Sequence, residues 1–253
     1  DLETYRLKGH SLKDTYLNPQ ALIQAALSSG AQAIHPGYGF LSESAGFARA
    51  VEEAGLVFIG PSSESIDLMG NKTRARRKVS SLGIPVIEGV EGDHNTLLKE
   101  AARLGFPLLA KAASGGGGKG MRIVRSMDEL ADILETTSRE ARNYFGDGEV
   151  YLERFLESPK HIEVQIMADH HGNTVALFER ECSLQRRYQK IIEEAPSPSV
   201  DAPLRKRMME ASCKIAAEMG YVNAGTIEYL LSGEDFYFLE MNTRIQVEHP
   251  VTE

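Results

Sequence analysis

Two glutamates open the chemical reading. Glu228 and Glu240 lie on the apolar runs 226–231 and 236–241, which flank Ser232-Gly-Glu-Asp235. That tetrapeptide is a hairpin signal. Folding the chain about it pairs Leu231 with Phe236, give or take one residue, and sets Glu228 opposite or nearly opposite Glu240. Opposed residues hold their Cβ atoms ~5 Å apart, where like charges repel. A divalent cation removes the conflict, and two carboxylates completed by phosphate oxygens form a usual magnesium set. Continued as an extended strand, alternation puts Glu240, Asn242, Arg244, Gln246 and Glu248 on one face. That face begins with Phe236 and Phe238, so it is expected to start buried. Arg244 offers a planar fork suited to a small planar oxyanion, and Glu248 a base toward that anion.

Upstream, Ser114-Gly-Gly-Gly-Gly-Lys-Gly120 separates two predicted strands at 107–112 and 121–125. Consecutive glycines cost backbone entropy on ordering, and they let backbone N–H groups approach a phosphate. Lys111 and Lys119 supply positive charge there. The dinucleotide fingerprint needs a helix after the loop, and Walker A needs a lysine where Met121 stands, so neither applies. What remains is a flap over nucleotide phosphates, similar in logic to a kinase loop, or a flexible surface hairpin. The polar, basic stretch Ser183-Leu-Gln-Arg-Arg-Tyr-Gln-Lys190 reads by default as a solvated loop, and His161 as a structural histidine on the polar face of a strand with Glu163 and Gln165. Flap, carboxylate pair and anion site together point to phosphoryl transfer toward a small anion.

These groups need positioning elements. Asn18-Pro19 predicts a helix start and Gly30 its end. Short strands at 33–34 and 56–59 flank a helix carrying Phe47, Ala48 and Val51, a β-α-β rhythm that implies part of a parallel α/β sheet. Helices follow at 72–82, around Leu97 to Ala102, and after the capping box Ser126-Met-Asp-Glu129. The third region is strand-rich, with alternation over 161–167 and a helix at 204–219. Length and composition, 253 residues with 42% hydrophobic and 25% charged, suit an ordinary globular core. A net charge of −8 argues against a general nucleic-acid or anionic-membrane binder, and no apolar run approaches a membrane span. Cys182 and Cys213 are too few for a disulfide framework and read as reduced thiols in a cytoplasmic protein. Asp1 in place of Met, and an end in mid-pattern at Val251-Thr252-Glu253, suggest a piece of something longer.

Taken together the motifs resemble biotin carboxylase, an ATP-grasp enzyme found alone or within acetyl-CoA, propionyl-CoA, methylcrotonyl-CoA and pyruvate carboxylases. The resemblance spans the chain. It is carried by His35-Pro-Gly-Tyr-Gly-Phe-Leu-Ser-Glu43, Met69-Gly-Asn-Lys72, Lys111-Ala-Ala-Ser-Gly-Gly-Gly-Gly-Lys-Gly-Met121, Ser183-Leu-Gln-Arg-Arg187, Glu193-Glu-Ala-Pro196 and, most specifically, Glu240-Met-Asn-Thr-Arg-Ile-Gln-Val-Glu-His-Pro-Val-Thr-Glu253. It implies an α+β ATP-grasp fold. Residues 1–60 would be the end of an N-terminal α/β domain, 61–82 a helical linker, 83–155 the lid, and 156–253 the first part of the catalytic domain. It implies ATP contacts from Lys72, Lys111, Gly117, Gly118 and Met121, an adenine hinge at Glu153, Arg154, Phe155 and Leu156, and further nucleotide contacts from His161, Gln185, Tyr188 and Leu230. Glu228, Glu240 and Asn242 would hold magnesium or manganese; Lys190, Arg244, Gln246, Val247 and Glu248 would bind bicarbonate.

In the mechanism so implied, Glu248 deprotonates bicarbonate, which attacks the ATP γ-phosphate. The carboxyphosphate breaks to CO2 and phosphate, and biotin captures the CO2 while Arg244 holds the anions; Arg244, Glu248 and Lys190 are the catalytic set. Biotin would arrive on a carrier protein or domain, with a carboxyltransferase component as further partner and a homodimer in the full-length parent. The location would be the cytoplasm, or the mitochondrial matrix in a eukaryote. Ser114, Arg154 and Tyr188 stand where family members often have glycine, lysine and histidine. Two rival readings are a carbamoyl-phosphate-synthase-like ATP-grasp ligase and a non-catalytic nucleotide-binding fragment.

Overall fold

A computed structural model describes residues 3–113, 120–187 and 189–253. Helix α1 (Pro19–Ser29) starts where the Asn18 side chain accepts from the Ala21 N–H at 3.2 Å, and stops at Gly30, whose φ of +72° few other residues adopt at low cost. Strands β1 (Ala33–Ile34) and β2 (Val57–Phe58) pair in parallel around α2 (Ala45–Glu53), as the β-α-β rhythm predicts. Phe47, Ala48 and Val51 of α2 form a core with Ile23, Phe58 and Ile66. Helices α3 (Ser63–Gly70) and α4 (Lys72–Ser81) follow, capped by Ser62 and Asn71. Their inner residues Met69, Ala75 and Val79 pack against the strand-rich region that comes last in sequence.

The next region is a four-stranded antiparallel sheet with two helices on it. Its elements are β3 (Gly89–Val90), α5 (His94–Leu104), β4 (Leu108–Ala112), β5 (Met121–Val124), α6 (Met127–Phe145) and β6 (Val150–Arg154), in the strand order β3-β6-β4-β5. The glycine loop joins β4 to β5, which pair Lys111 with Met121. Gly117 and Gly118 themselves lie outside the described residues, as does Tyr188. Glu129 reaches back to accept from the Ser126 N–H at 3.2 Å, the capping interaction expected for α6. Leu97, Ala101, Leu130 and Leu134 close a second core over this sheet.

The last region is a five-stranded antiparallel sheet of order β11-β10-β7-β8-β9, built from β7 (Lys160–Ala168), β8 (Thr174–Arg186), β9 (Gln189–Glu194), β10 (Asn223–Ser232) and β11 (Asp235–Asn242). Helix α7 (Ala202–Glu218), capped by Asp201, lays Leu204, Met208 and Ile215 on one face of it. Residues 183–186 and 189–190, expected as a solvated loop, are therefore paired strand in β8 and β9. Among the described residues no helix is long and apolar enough to cross a membrane.

Two expectations about the final strand need correction. The turn pairs Leu231 with Phe236 and Tyr229 with Phe238, but the register then slips so that Glu228 faces Glu240. The slip is a bulge at Leu239, and a bulge reverses the parity of everything after it. Phe236, Phe238 and Met241 enter the core, whereas Leu239, Glu240 and Asn242 line the opposite, cleft side. Glu240 thus does not continue the Phe236–Phe238 face. Strand β11 also ends at Asn242; residues 243–248 are a turning segment, followed by a short 3₁₀ helix over His249–Val251. Arg244, Gln246 and Glu248 reach one site through that turn, not through strand alternation.

Candidate functional site

A cleft of about 950 Å3 lies between the four-stranded sheet, the five-stranded sheet and the turn at Tyr38-Gly39. Of the residues singled out from the sequence, every one that is described lines it. Lys72, Lys111, Met121, Glu153, Arg154, Phe155 and Leu156 come from the helix α4 start and the four-stranded-sheet region. His161, Gln185, Lys190, Glu228, Leu230, Glu240 and Asn242 come from the large sheet. Arg244, Gln246, Val247 and Glu248 come from the turning segment.

On the four-stranded-sheet side, the Lys111 ammonium donates to Glu153 Oε1 at 2.8 Å, with both side chains about 4% exposed. Arg76 of α4 stands 3.3 Å from the other Glu153 oxygen and donates to the Ile87 carbonyl. Both cations lie over the Tyr151 ring, at 5.0 Å for Arg76 and 5.7 Å for Lys111. Close approach of Arg76 requires a glycine at position 89, where a Cβ would meet the guanidinium at 2.9 Å and the Leu152 carbonyl at 2.5 Å. Glu153, expected in the adenine hinge, holds Lys111 by its carboxylate.

On the sheet side, the polar face of β7 is buried, not solvated: Glu163 and Gln165 are within the protein. Register places Glu163 beside Glu228. Burying carboxylates together is costly unless cations meet them. Lys190 supplies one, contacting Glu163, Glu228 at 3.0 Å and Glu248 at 2.7 Å. His161 Nε2 lies 2.9 Å from Glu228 and 3.2 Å from Glu163, at ion-pair distance but without hydrogen-bond alignment. Arg180 supplies the third, donating to Glu163 at 2.9 Å. Burial pulls the His161 pKa down, yet the two carboxylates outweigh it and raise it to about 9. Burial likewise raises Glu163, and His161, Lys190 and Arg180 more than reverse this, to about 2. Lys190 is held above its ordinary value against burial by Glu228 and Glu163, and Glu248 is held below its own against burial by Lys190.

Could this site hold magnesium? Glu228 and Glu240 are directly opposed, and Asn242 donates to Glu228 at 2.6 Å while Glu240 takes Lys72 at 2.6 Å. Opposed carboxylates are hard oxygen ligands that fit magnesium; the Asn242 amide turns its NH2 to Glu228 and its oxygen to Arg244. His161, Glu163 and Glu228 also bring ligand atoms within 4.8 Å of one another, but the Lys190 ammonium already occupies the space between those two carboxylates. Arg244 lines the cleft and donates to Glu43 at 2.9 Å and to the Ile245 carbonyl at 3.1 Å. Glu43, Glu163, Arg76 and Arg180 escaped the sequence reading as site residues. Glu43 at least sat within a quoted motif; no local pattern marks the others.

Comparison with known proteins agrees with this geometry. Residues 71–253 match the family described as carbamoyl-phosphate synthase L chain, ATP binding domain, and residues 2–66 match the biotin carboxylase N-terminal domain. The chain is 50% identical over 255 residues to the mitochondrial methylcrotonoyl-CoA carboxylase subunit alpha of Dictyostelium discoideum, covering 99% of this chain and 36% of that protein. It is 48% identical to biotin carboxylase 2 of Bacillus subtilis, covering 99% of this chain and 57% of that one. The crystal structure of the biotin carboxylase–β,γ-ATP complex from Campylobacter jejuni superposes with a TM-score of 0.94 at 44% identity, over 97% of this chain and 56% of that one. The biotin carboxylase domain dimer of Hydrogenobacter thermophilus 2-oxoglutarate carboxylase, in complex with MgADP, ADP and bicarbonate, gives 0.93 at 46% identity, over 97% and 55%. The chain thus spans between about a third and just over half of these relatives. With both family matches in order along one mixed α/β chain and one cleft collecting their motifs, it belongs to the biotin carboxylase family of ATP-grasp proteins.

Proposed function

We propose that the intact protein carrying this chain carboxylates the biotin of a carrier protein or domain, using MgATP and bicarbonate, in the first half-reaction of a biotin-dependent carboxylase. The observation that carries the reading is the Lys190 cluster: one ammonium tied to Glu228 of the carboxylate pair and to Glu248 of the anion segment. Nucleotide and anion are thereby set side by side in one cleft. The Hydrogenobacter relative, crystallised with MgADP and bicarbonate, supports the same pairing.

In this reading Lys72 and Lys111 neutralise phosphate oxygens, and residues 83–155 act as the lid over the nucleotide. Residues 1–60 supply the far wall, 61–82 the linker, and 156–253 the sheet that carries the chemistry. Glu228, Glu240 and Asn242 would hold magnesium, which supplies charge neutralisation on the phosphates. Arg244 and Lys190 hold the bicarbonate; Gln246 and the Val247 backbone frame it. Glu248, kept ionised by Lys190, accepts its proton. As the Lys190 charge is shared with the incoming anion, Glu248 loses part of the interaction that depresses its pKa and becomes a better base. Biotin on its carrier, a carboxyltransferase component and a second copy of the chain are the proposed partners. The setting is cytoplasm or mitochondrial matrix; the methylcrotonoyl-CoA carboxylase relatives are mitochondrial by name.

The test is ATP hydrolysis by the intact protein with magnesium, with and without bicarbonate and biotin. Hydrolysis should require both, and Glu248→Gln should abolish it while leaving ATP binding in place. Hydrolysis that needs bicarbonate but ignores biotin would overturn the reading in favour of a carbamoyl-phosphate-type ligase.

A further inference from the structure

Arg180 does not line the cleft, yet it is the largest fully buried side chain of the described residues. A guanidinium has five N–H donors in a rigid fork, and each finds an acceptor here. Nε donates to Glu163 at 2.9 Å; Nη1 to Gln165 and Thr252, both at 3.0 Å; Nη2 to Thr226 at 3.1 Å and to Gln246. Only the first of these is needed to neutralise Glu163. A lysine would serve that purpose but could not make the fork. The other four bonds go to neutral oxygens, and two of those, on Gln246 of the turning segment and on Thr252 just after the short helix, bracket Glu248.

Apart from Arg180, that segment is held, among the described residues, by side chains at its cleft side alone: Gln246 Nε2 donates to Glu228 at 3.1 Å, Glu248 takes Lys190 at 2.7 Å, and Arg244 reaches Glu43 at 2.9 Å. Strand β11 ends at Asn242. The backbone hydrogen bonds of His249, Val251, Thr252 and Glu253 run to Gln246, Glu248 and His249, all within the segment. Side chains must therefore tie it to the sheet. Arg180 does so from below, joining Gln165 of β7 and Thr226 of β10 to Gln246 and Thr252.

We propose that Arg180 is a positioning residue, a buried five-donor clasp that fixes the segment 243–252 on the sheet and so sets Gln246 and Glu248 for the anion. The functional half of this inference rests on the bicarbonate role given above to that segment. The clasp itself does not.

The test uses two variants of the intact protein. Thr252→Val keeps shape and removes one acceptor without disturbing the buried charge; Arg180→Lys keeps the charge and removes the fork. Hydrogen exchange should rise about tenfold in the peptide 243–253 of Thr252→Val, and more in Arg180→Lys, while the β10–β11 hairpin stays protected. In turnover, the KM for bicarbonate should rise about threefold to tenfold in Thr252→Val and further in Arg180→Lys, with the KM for ATP within twofold of the parent. Thr252→Val, which leaves the core intact, keeps the test decisive where Arg180→Lys fails to fold. Unchanged exchange in 243–253, or equal rises in both KM values, would overturn the clasp. A parent protein whose turnover ignores bicarbonate, with the exchange effect still present, would leave the clasp standing and sink the functional reading instead.

Discussion

Replacing Lys190 by Met is the sharpest perturbation the site allows. Three carboxylates, Glu163, Glu228 and Glu248, meet three cations, Lys190, His161 and Arg180. Methionine keeps the volume and leaves the cluster one negative charge in excess. His161 and Arg180 still serve Glu228 and Glu163, so the loss falls hardest on Glu248, whose ion pair with Lys190 is the one found for it among the described residues. A bicarbonate roughly 5 Å away would lose about 3 kcal/mol at an effective dielectric near 20, a rise in its KM of roughly 100-fold. Stability should fall as well. Breaking a buried pair costs about 3–5 kcal/mol, and the remaining cations and the 19% exposure of Lys190 reduce this to roughly 2 kcal/mol. Without Lys190, burial is opposed only by a backbone hydrogen bond and the more distant Arg180 charge, so the Glu248 pKa rises and the acidic limb of the turnover profile should move to higher pH. Steady-state kinetics against bicarbonate from pH 6 to 9, roughly the span of the groups involved, with a melting curve beside it, reads all three. A bicarbonate KM within about fivefold of the parent, with an unmoved acidic limb, would refute the charge-balance reasoning.

Three further outcomes follow from the same geometry. Glu240→Gln should weaken nucleotide binding in magnesium and flatten its magnesium dependence; calorimetric titration with unchanged dependence would dismiss the opposed-carboxylate assignment. Lys111→Ala should raise the ATP dissociation constant by about 10–100-fold, the worth of a charge-assisted bond of roughly 1.5–3 kcal/mol, and an unchanged value would mean the lysine stays with Glu153. For His161 the folded pKa of about 9 lies above the unfolded value, so its contribution is full below about pH 6.5 and lost as pH rises through 9. Denaturant melts across that window should show a decline of roughly 3 kcal/mol in the parent that His161→Gln lacks; equal slopes would count against a protonated His161.

Much of the frame was legible because it depends on short-range chemistry. Asn18-Pro19, Gly30, Ser126 and Glu129 announce helix ends through bonds within four residues. Ser232–Asp235 announces a turn, and the turn brings Glu228 to Glu240 within one residue. The remaining residue of error is the bulge, for which Leu239 carries no local signal. The burial of the β7 polar face was also out of reach, since His161, Glu163 and Gln165 alternate just as a solvated face would. Their cover comes from Lys190, Arg180 and the 243–252 segment, far along the chain. Glu43, paired with Arg244 across 201 positions, is of the same kind. The family resemblance located most of the cleft because it compares whole motifs, but it too passed over Arg76, Glu163 and Arg180, which touch the site through other residues.

These departures from regular structure fall together on the cleft side of the large sheet. An unbroken β11 would set Leu239 opposite Glu228 and turn Glu240 toward the apolar core, where a carboxylate without a cation is heavily penalised. The bulge instead puts Leu239 and Glu240 side by side on the cleft, where Lys72 meets the carboxylate. An unbroken continuation past Asn242 would likewise carry Glu248 away in a straight line, beyond reach of Lys190. Ending the strand and clasping the turn from Arg180 brings Glu248 back to the same ammonium that holds Glu228. Regularity is given up at the two places where it would separate the carboxylate pair from the anion segment. The buried charges on β7 and β8 are the structural consequence: with Glu163, Glu228 and Glu248 all sharing Lys190, two further cations are needed for balance, and His161 of β7 and Arg180 of β8 supply them.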